Sequence, residues 1–179
     1  MIKYIAFLKA INVGGHTVKM DHLKRLFVKM DFKNVETFIA SGNVIFETKS
    51  KAADSIKKKI ETKLEKSIGY KAPTFIRTTS ELKDIADYKP FKKSDLSNQQ
   101  NSLYIGFLDH QPDKASQKKV LMLSNEPNEF HFHNKELYWL CRKNFSDSGI
   151  TGKTLERALG METTLRNATT IKKMTVKFS

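Results

Sequence analysis

Asparagine, glycine and lysine residues that could bind an anion gather in a short segment near the start of the chain. The segment contains Lys9, Asn12, Gly14 and Gly15. Successive main-chain N–H groups ahead of a helix can form a concave site for phosphate or carboxylate, and a lysine adds positive charge. The same glycines would also serve simply to allow a tight turn between a strand and a helix. The sequence therefore predicts an anion-binding loop, with loop shaping alone as the alternative.

A second polar segment, Ser41-Gly42-Asn43, separates two strand-like runs at 35–39 and 44–48. Glycine and asparagine tolerate the positive φ angles of a tight hairpin, so we expect the two runs to form one. The spacing of apolar residues predicts a strand over 3–9 and a helix over about 20–30 before this hairpin. A further amphipathic helix over 51–67 should end at Gly69 in a left-handed cap.

The order of these elements predicts that distant polar segments meet. With a fourth strand at 73–77 the order is β-α-β-β-α-β, the ferredoxin-like arrangement. Its first two strands are parallel, with a right-handed crossover between them, so their carboxyl ends share one edge of the sheet. We therefore expect residues 10–16, the hairpin tip 41–43 and the turn Gly69-Tyr70 to be neighbours.

The pattern restarts in the second part of the chain. Strands at 103–108, 129–133 and 136–141 surround a helix at 112–123, and helices at 154–159 and 167–177 follow. The sequence thus predicts an α+β protein of two ferredoxin-like halves, with antiparallel sheets and helices packed on one face. The predicted N-terminal half covers 1–90, a polar linker covers 91–101, and the C-terminal half covers 102–179.

Other motifs with catalytic or metal-binding potential are incomplete. Thr151-Gly152-Lys153-Thr154 resembles the end of a phosphate-binding P-loop, but Asp147 occupies the position of its first glycine, and Thr154 suffices as a helix N-cap. His131 and His133 share one face of a strand, yet no carboxylate or cysteine completes a metal site with them. We therefore predict neither a metal nor a cofactor.

The composition favours an intracellular protein with a positive surface. Lysine and arginine number 32 against 19 acidic residues, so the net charge is +13. The single cysteine favours a reducing compartment, and no apolar run reaches the ~20 residues needed to cross a bilayer, so we expect a cytoplasmic protein without a membrane partner. Such a charge attracts polyanions, which leaves a nucleic-acid partner as an alternative.

Two features weaken the prediction of RNA recognition. Only five basic residues are arginine, the residue that nucleic-acid readers favour. Phe46 is the one aromatic residue of its strand, and it is expected to face the core instead of stacking on bases.

Three motifs resemble a bacterial family catalogued as domain of unknown function 1697. Residues 7–15, FLKAINVGG, are similar to the family signature LLRGINVGG, and residues 37–46, TFIASGNVIF, to TYIQSGNVVF. Near the end, 164–167 resembles T-x-R-N ahead of the last helix. Lys9 stands at the family arginine and Ala10 at the family glycine. The resemblance implies a fold and a working surface, and no activity.

The motifs and the topology together define the candidate ligand-binding residues. We expect an anionic small molecule to bind there, and the alternatives are a basic nucleic-acid-associated protein or an enzyme acting at the same edge. Arg166 would join the others only if the C-terminal segment folds back over the first half. The sequence specifies neither an oligomeric state nor a catalytic residue. The candidate residues are Lys9, Asn12, Gly14, Gly15, Ser41, Gly42, Asn43, Arg166 and Asn167.

Overall fold

The computed structural model describes residues 1–178, which form two compact units. The first unit is Met1–Leu82 and the second begins at Lys83. Each unit holds one four-stranded antiparallel sheet, which confirms the predicted α+β class with two ferredoxin-like halves. The elements up to this boundary are β1 (Ile2–Leu8), α1 (Met20–Val28), β2 (Lys33–Phe38), β3 (Asn43–Thr48), α2 (Ala53–Ile68), β4 (Thr74–Thr78) and α3 (Thr79–Asp87), which crosses it.

The sheet of the first unit has the strand order β2-β3-β1-β4. All neighbouring strands are antiparallel, so β1 and β2, on either side of β3, run parallel as expected. At the carboxyl end of β1, Phe7 lies opposite Asn43 of β3, and Leu8 lies opposite Thr74 of β4. The end of β2 meets the same place, because Phe38 is also opposite Asn43. The ends of four strands therefore form one edge, which we call the N-terminal edge.

Helices α1 and α2 pack on one face of this sheet. Alternation along β1 puts Tyr4, Ala6 and Leu8 on that face, and the 3.6-residue period puts apolar residues of both helices against it. The resulting core fixes where α1 begins and therefore where the preceding loop must end. Its helix residues are Leu23, Leu26 and Phe27 of α1 and Ile56, Ile60 and Leu64 of α2. Helix α2 ends as predicted, since Gly69 adopts a φ of 83° and donates its N–H to Glu65 O.

The second unit repeats the topology, with the strand order β6-β7-β5-β8. Strand β8 was not predicted from the sequence, because its four residues show too little alternation to be distinguished from the adjoining helix. A 3₁₀ turn covers Phe145–Asp147. The other elements are α4 (Lys93–Ser97), β5 (Ser102–Phe107), α5 (Lys114–Leu121), β6 (Asn128–His133), β7 (Glu136–Cys141), α6 (Gly152–Leu159), β8 (Thr164–Asn167) and α7 (Ala168–Phe178).

Two local boundaries differ from the sequence expectation. Helix α6 begins earlier than predicted, and its N-cap is Thr151, whose hydroxyl accepts the N–H of Thr154 at 3.1 Å. The segment predicted as a linker contains the short helix α4. Phe91, the first residue of that segment, is buried. Asn101 Nδ2 donates to Asp95 O at 2.9 Å, which holds the end of this segment in place. Among residues 1–178, no helix combines the length and apolar character needed to cross a bilayer.

Candidate functional site

The three segments expected to meet at the N-terminal edge are in contact. Leu8 donates its N–H to Gly42 O at 2.8 Å, which joins the end of β1 to the hairpin tip. Lys9 donates its N–H to Pro73 O at the same distance, which joins it to the segment before β4. His16 stacks on Tyr70, with ring centroids 3.9 Å apart. The convergence inferred from ferredoxin-like topology is therefore present in the structure.

Asn12 ties the first loop to both of its neighbours. Its Oδ1 accepts the N–H of Val18 at 2.6 Å, and its Nδ2 donates to Ala40 O at 3.0 Å. The residue has a φ of 56°, a left-handed conformation that asparagine adopts more readily than most residues. One side chain thus closes the loop between β1 and α1 and fastens it to the hairpin. Both polar ends of the amide serve the architecture of the edge.

The hairpin tip is held by a second asparagine. Asn43 is fully buried, and its Nδ2 donates to Phe38 O at 3.0 Å and to Ser41 Oγ at 2.8 Å. Gly42, between them, has a φ of 74°. A Cβ on Gly42 would lie 2.9 Å from Ile11 Cβ, closer than real carbon contacts, so no side chain fits where the first loop crosses the hairpin. The S-G-N motif therefore shapes the edge.

The Gly14-Gly15 pair forms a mirror-image turn. His16 donates its N–H to Val13 O at 3.1 Å across the pair, and the φ angles of 62° and 86° match a type I′ turn, which favours glycine at both central positions. Within residues 1–178, the N–H groups of Gly14, Gly15 and Thr17 find no acceptor in the protein. These exposed donors precede α1 and are available to a ligand.

A groove of about 510 Å³ opens beside this turn. Its walls come from the first loop, from α1 and from the end of α2, and no aspartate or glutamate lines it. Lys19 and Arg25 supply positive charge, and neither forms an ion pair in the part of the chain that the structure describes. The lining residues are Gly15, His16, Thr17, Val18, Lys19, His22, Arg25, Ser67, Ile68 and Tyr70.

Tyr70 lines the groove and carries a hydroxyl without a hydrogen-bond partner in the described part of the chain. Its oxygen is shielded from solvent. Burial raises the pKa of this phenol above its ordinary value. Most buried polar atoms in proteins are hydrogen-bonded, so the unpaired hydroxyl of this groove-lining residue is an exception.

Sequence reasoning located this edge but missed most of the residues that line the groove. Lys19, His22, Arg25 and His16 belong to no recognisable motif, so no role was predicted for them. The turn Gly69-Tyr70 was placed at the edge by topology, without a role. The groove residues could have been found from the spacing of Lys19, His22 and Arg25, which puts the three side chains on one face at the start of α1.

Three residues other than glycine adopt left-handed backbone at the N-terminal edge. They are Ala10, Asn12 and Ile39, with φ angles of 60°, 56° and 52°. A β-branched residue such as Ile39 rarely occupies this region, and strained backbone of this kind clusters at functional sites. The family glycine at the position of Ala10 fits the observed φ angle, so the departure at this position introduces strain.

Arg166 and Asn167 belong to the second unit. Arg166 is 8% exposed and donates to Thr164 Oγ1 at 2.8 Å and to Leu165 O at 2.9 Å. Burial lowers the pKa of its guanidinium to about 10. Asn167 Oδ1 accepts the N–H of Thr169 at 2.8 Å, which caps α7 as the sequence predicted. The two residues thus secure β8 and the start of the last helix.

The paired histidines of β6 surround an aromatic ring. His131 Nε2 lies 2.8 Å from the hydroxyl of Tyr88, and His133 stacks on the same ring with centroids 3.9 Å apart. Within residues 1–178 no group of three or more His, Cys, Asp or Glu side chains is arranged to hold a metal ion. Cys141 is buried and donates to Lys143 O at 3.1 Å, as expected for a core thiol.

Comparisons with known proteins agree with the fold and name no activity. None of the curated proteins compared with the chain matches it. The conserved bacterial protein SP0830 from Streptococcus pneumoniae is similar in structure, with a TM-score of 0.78 and 18% sequence identity over 99% of each chain. At that identity the likeness shows the fold alone. Residues 1–138 match the family described as protein of unknown function DUF1697. That match spans most of the chain, including both motifs of the N-terminal edge, and the chain therefore belongs to this family.

Proposed function

We propose that this protein binds an anionic small molecule, one that carries a phosphate or carboxylate group, in the groove at its N-terminal edge. The observation that carries the proposal is the charge of the groove, which Lys19 and Arg25 line together with two histidines and no acidic residue. Groups of this kind bind phosphate and carboxylate through charge-assisted hydrogen bonds. The groove also has the volume of a small-molecule site.

The main chain adds fixed donors to these mobile side chains. The N–H groups of Gly14, Gly15 and Thr17 lie in the loop that ends at α1, and they have no acceptor inside the described part of the protein. Donors held by a rigid turn lose little entropy when a ligand arrives, which favours affinity. The half-buried Lys9, one residue beyond β1, adds charge at the same edge.

The asparagines have an indirect role in this proposal. Asn12 and Asn43 use their amides for bonds within the protein, so they hold the Gly-Gly turn and the hairpin in position. Replacing Asn12 by alanine removes two hydrogen bonds, and we expect it to cost about 1–3 kcal/mol of unfolding free energy as well as affinity. A loss of affinity with unchanged stability would instead make Asn12 a direct ligand contact.

Calorimetric titration of inorganic phosphate and pyrophosphate tests the proposal. The informative pair is Lys19→Gln and Lys24→Gln, because each removes one exposed charge, Lys19 at the N-cap of α1 and Lys24 within it, while only Lys19 lines the groove. We expect Lys19→Gln to weaken binding by about tenfold, the loss of roughly one charged contact, and Lys24→Gln to change it by less than about twofold. Equal losses in the two variants would mean that the overall charge alone attracts the anion.

A second candidate function, binding of nucleic acid, is favoured by a separate lysine-rich cleft of about 540 Å³ beside α1 and α2. Its basic residues are Lys29, Lys58, Lys59, Lys63 and Lys66. Lys59 is partly occupied, since its Nζ donates to Met30 O at 2.6 Å. Phosphate contacts of this kind give affinity that falls steeply with salt.

The salt dependence of binding to short single-stranded RNA and duplex DNA tests this second candidate. A nucleic-acid protein should show a log–log slope of several units, and Lys63→Gln should reduce that slope by about one unit. Absence of nucleic-acid binding at moderate salt would rule out the second candidate and leave small-molecule binding as the remaining proposal. An enzyme at the N-terminal edge would instead convert the bound compound, which product analysis after incubation would detect.

A further inference from the structure

The second unit contains a partly open pocket of about 340 Å³ that shares no lining residue with the N-terminal groove. Its apolar floor comes from alternate residues of β5, Leu103 and Ile105, and from Tyr138 of β7, which lies opposite Ile105. The hydroxyl of Tyr138 donates to Ile85 O at 3.1 Å, which fixes the neighbouring wall at the end of α3. The volume lies at the lower end of the range typical of small-molecule sites.

The rim of this pocket is polar and carries positive charge. Two lysines stand there, Lys89 after α3 and Lys172 on α7, and neither pairs with a carboxylate among residues 1–178. Lys89 Nζ donates to Ala86 O, which holds the ammonium group near the wall. The other polar lining residues are Gln99, Asn101, Ser102, Asn167 and Thr169, all neutral.

The two lysines are close enough to influence each other. Burial lowers the pKa of Lys89, the positive charge of Lys172 lowers it further, and Asp87 opposes the change. Two unneutralised ammonium groups at one rim repel each other, and an anion placed between them would remove that repulsion. The arrangement resembles a carboxylate or phosphate clamp above the apolar floor of a pocket whose other walls are largely polar.

We infer that this pocket binds a small molecule with an apolar or aromatic body and one carboxylate or phosphate group. The body would contact Leu103, Ile105 and Tyr138, and the anionic group would lie between Lys89 and Lys172. Asn167, which the family motif singles out, lines the pocket while its Oδ1 caps α7. The third family motif, residues 164–167, thus contributes Asn167 to a proposed ligand site in the second unit.

Phenyl phosphate is a suitable probe because it combines an aromatic ring with a phosphate group. Its binding should be followed by amide chemical shifts, which report on each unit separately, with phenol and inorganic phosphate as partial probes. We expect phenyl phosphate to shift the amides of Leu103, Asn167 and Thr169. Each partial probe should bind this pocket at least about tenfold more weakly, because it uses only one of the two surfaces.

Two matched variants of α7 decide whether the pocket lysines take part. Lys172→Gln should weaken phenyl phosphate binding at these amides by about tenfold, and Lys173→Gln, an exposed neighbour outside the pocket, by less than about twofold. Equal effects of the two variants, or shifts confined to the first unit, would overturn the inference. Lys19→Gln should leave the shifts in this pocket unchanged, so failure here and failure of the N-terminal groove are distinguishable.

Discussion

The ring of His16 stacks on the ring of Tyr70 with centroids 3.9 Å apart and planes inclined by 27°. The two residues lie 54 positions apart in the sequence, one in the loop after β1 and the other just before β4. Both residues line the groove to which Lys19 and Arg25 also belong. The stack therefore joins the loop that carries the Gly-Gly turn to the residue with the unpartnered hydroxyl.

The first prediction concerns the hydroxyl of Tyr70. Phenylalanine at this position keeps the stack with His16 and removes a buried oxygen that has no partner in the described chain. We expect Tyr70→Phe to raise the free energy of unfolding by up to about 2 kcal/mol, because an unsatisfied polar group costs that much. Phosphate affinity should fall in the same variant. Urea denaturation and calorimetry measure the two effects, and a clear loss of stability would show that the hydroxyl bonds within the fold.

A second prediction compares two glycines that share a positive φ angle. An alanine Cβ at Gly42 would meet Ile11 Cβ at 2.9 Å and Leu8 O at 3.1 Å, whereas one at Gly14 would meet open space. We expect Gly42→Ala to cost about 2–4 kcal/mol, from steric overlap and backbone strain together, and Gly14→Ala only about 1 kcal/mol from strain. Equal costs in urea denaturation would refute the close approach of the first loop to the hairpin.

The third prediction follows from the departure from the family at Ala10. Its φ of 60° costs an alanine about 1–2 kcal/mol, whereas a glycine pays about 0.5–1 kcal/mol in chain entropy. We therefore expect Ala10→Gly to leave stability unchanged or to raise it by up to about 1 kcal/mol. Thermal unfolding of the variant provides the measurement. A marked destabilisation would contradict the left-handed conformation of Ala10.

The fourth prediction concerns alkaline pH. Burial, with smaller contributions from Glu136 and Tyr88, raises the pKa of Tyr138 well above its ordinary 10.0. Below pH 10 the phenol is neutral in both states. As pH rises further, it ionises only in the unfolded chain, so the free energy of unfolding falls by up to about 1.4 kcal/mol per pH unit.

Tyr138→Phe removes this contribution, and the slope of stability against pH above 10 should become shallower. A residual slope should remain, since the pKa values of Tyr4 and Tyr70 are also raised. At neutral pH the variant should lose about 1–3 kcal/mol, because Ile85 O loses its donor. Urea denaturation at several pH values checks both effects, and an unchanged alkaline slope would show that Tyr138 ionises in the folded state.

Topology made the N-terminal edge predictable from sequence. The assignment of β1, β2 and their crossover was enough to bring Asn12 and Asn43 together, because parallel strands end at one edge. The roles of their side chains were not predictable, since a polar amide in a loop serves a ligand or the main chain equally well. The groove residues were missed because the solvent-exposed face of a helix carries no periodic signal that separates a binding surface from a solvated one.

The duplication of the fold also left a trace that sequence reasoning undervalued. Tyr4-Ile5-Ala6-Phe7-Leu8 in the first unit corresponds to Tyr104-Ile105-Gly106-Phe107-Leu108 in the second. Arg77 and Arg166 occupy matching places, opposite Ile5 and Ile105. Each donates to the carbonyl of the residue before it. Extending this alignment so that Arg77 matches Arg166 places β8 at the position of β4, and would have predicted a strand whose own sequence is too short to show alternation.

Anion binding at the N-terminal edge is best tested by titrating the isotope-labelled protein with inorganic phosphate and following the amide chemical shifts. Anion binding at the N-terminal edge predicts that the largest shifts occur at Gly14, Gly15 and Thr17, whose N–H groups have no acceptor within the described residues. It also predicts that Lys19→Gln weakens the titration. Shifts centred on the α2 lysines Lys58 and Lys63, or none up to about 10 mM phosphate, would contradict an anion site at the N-terminal edge.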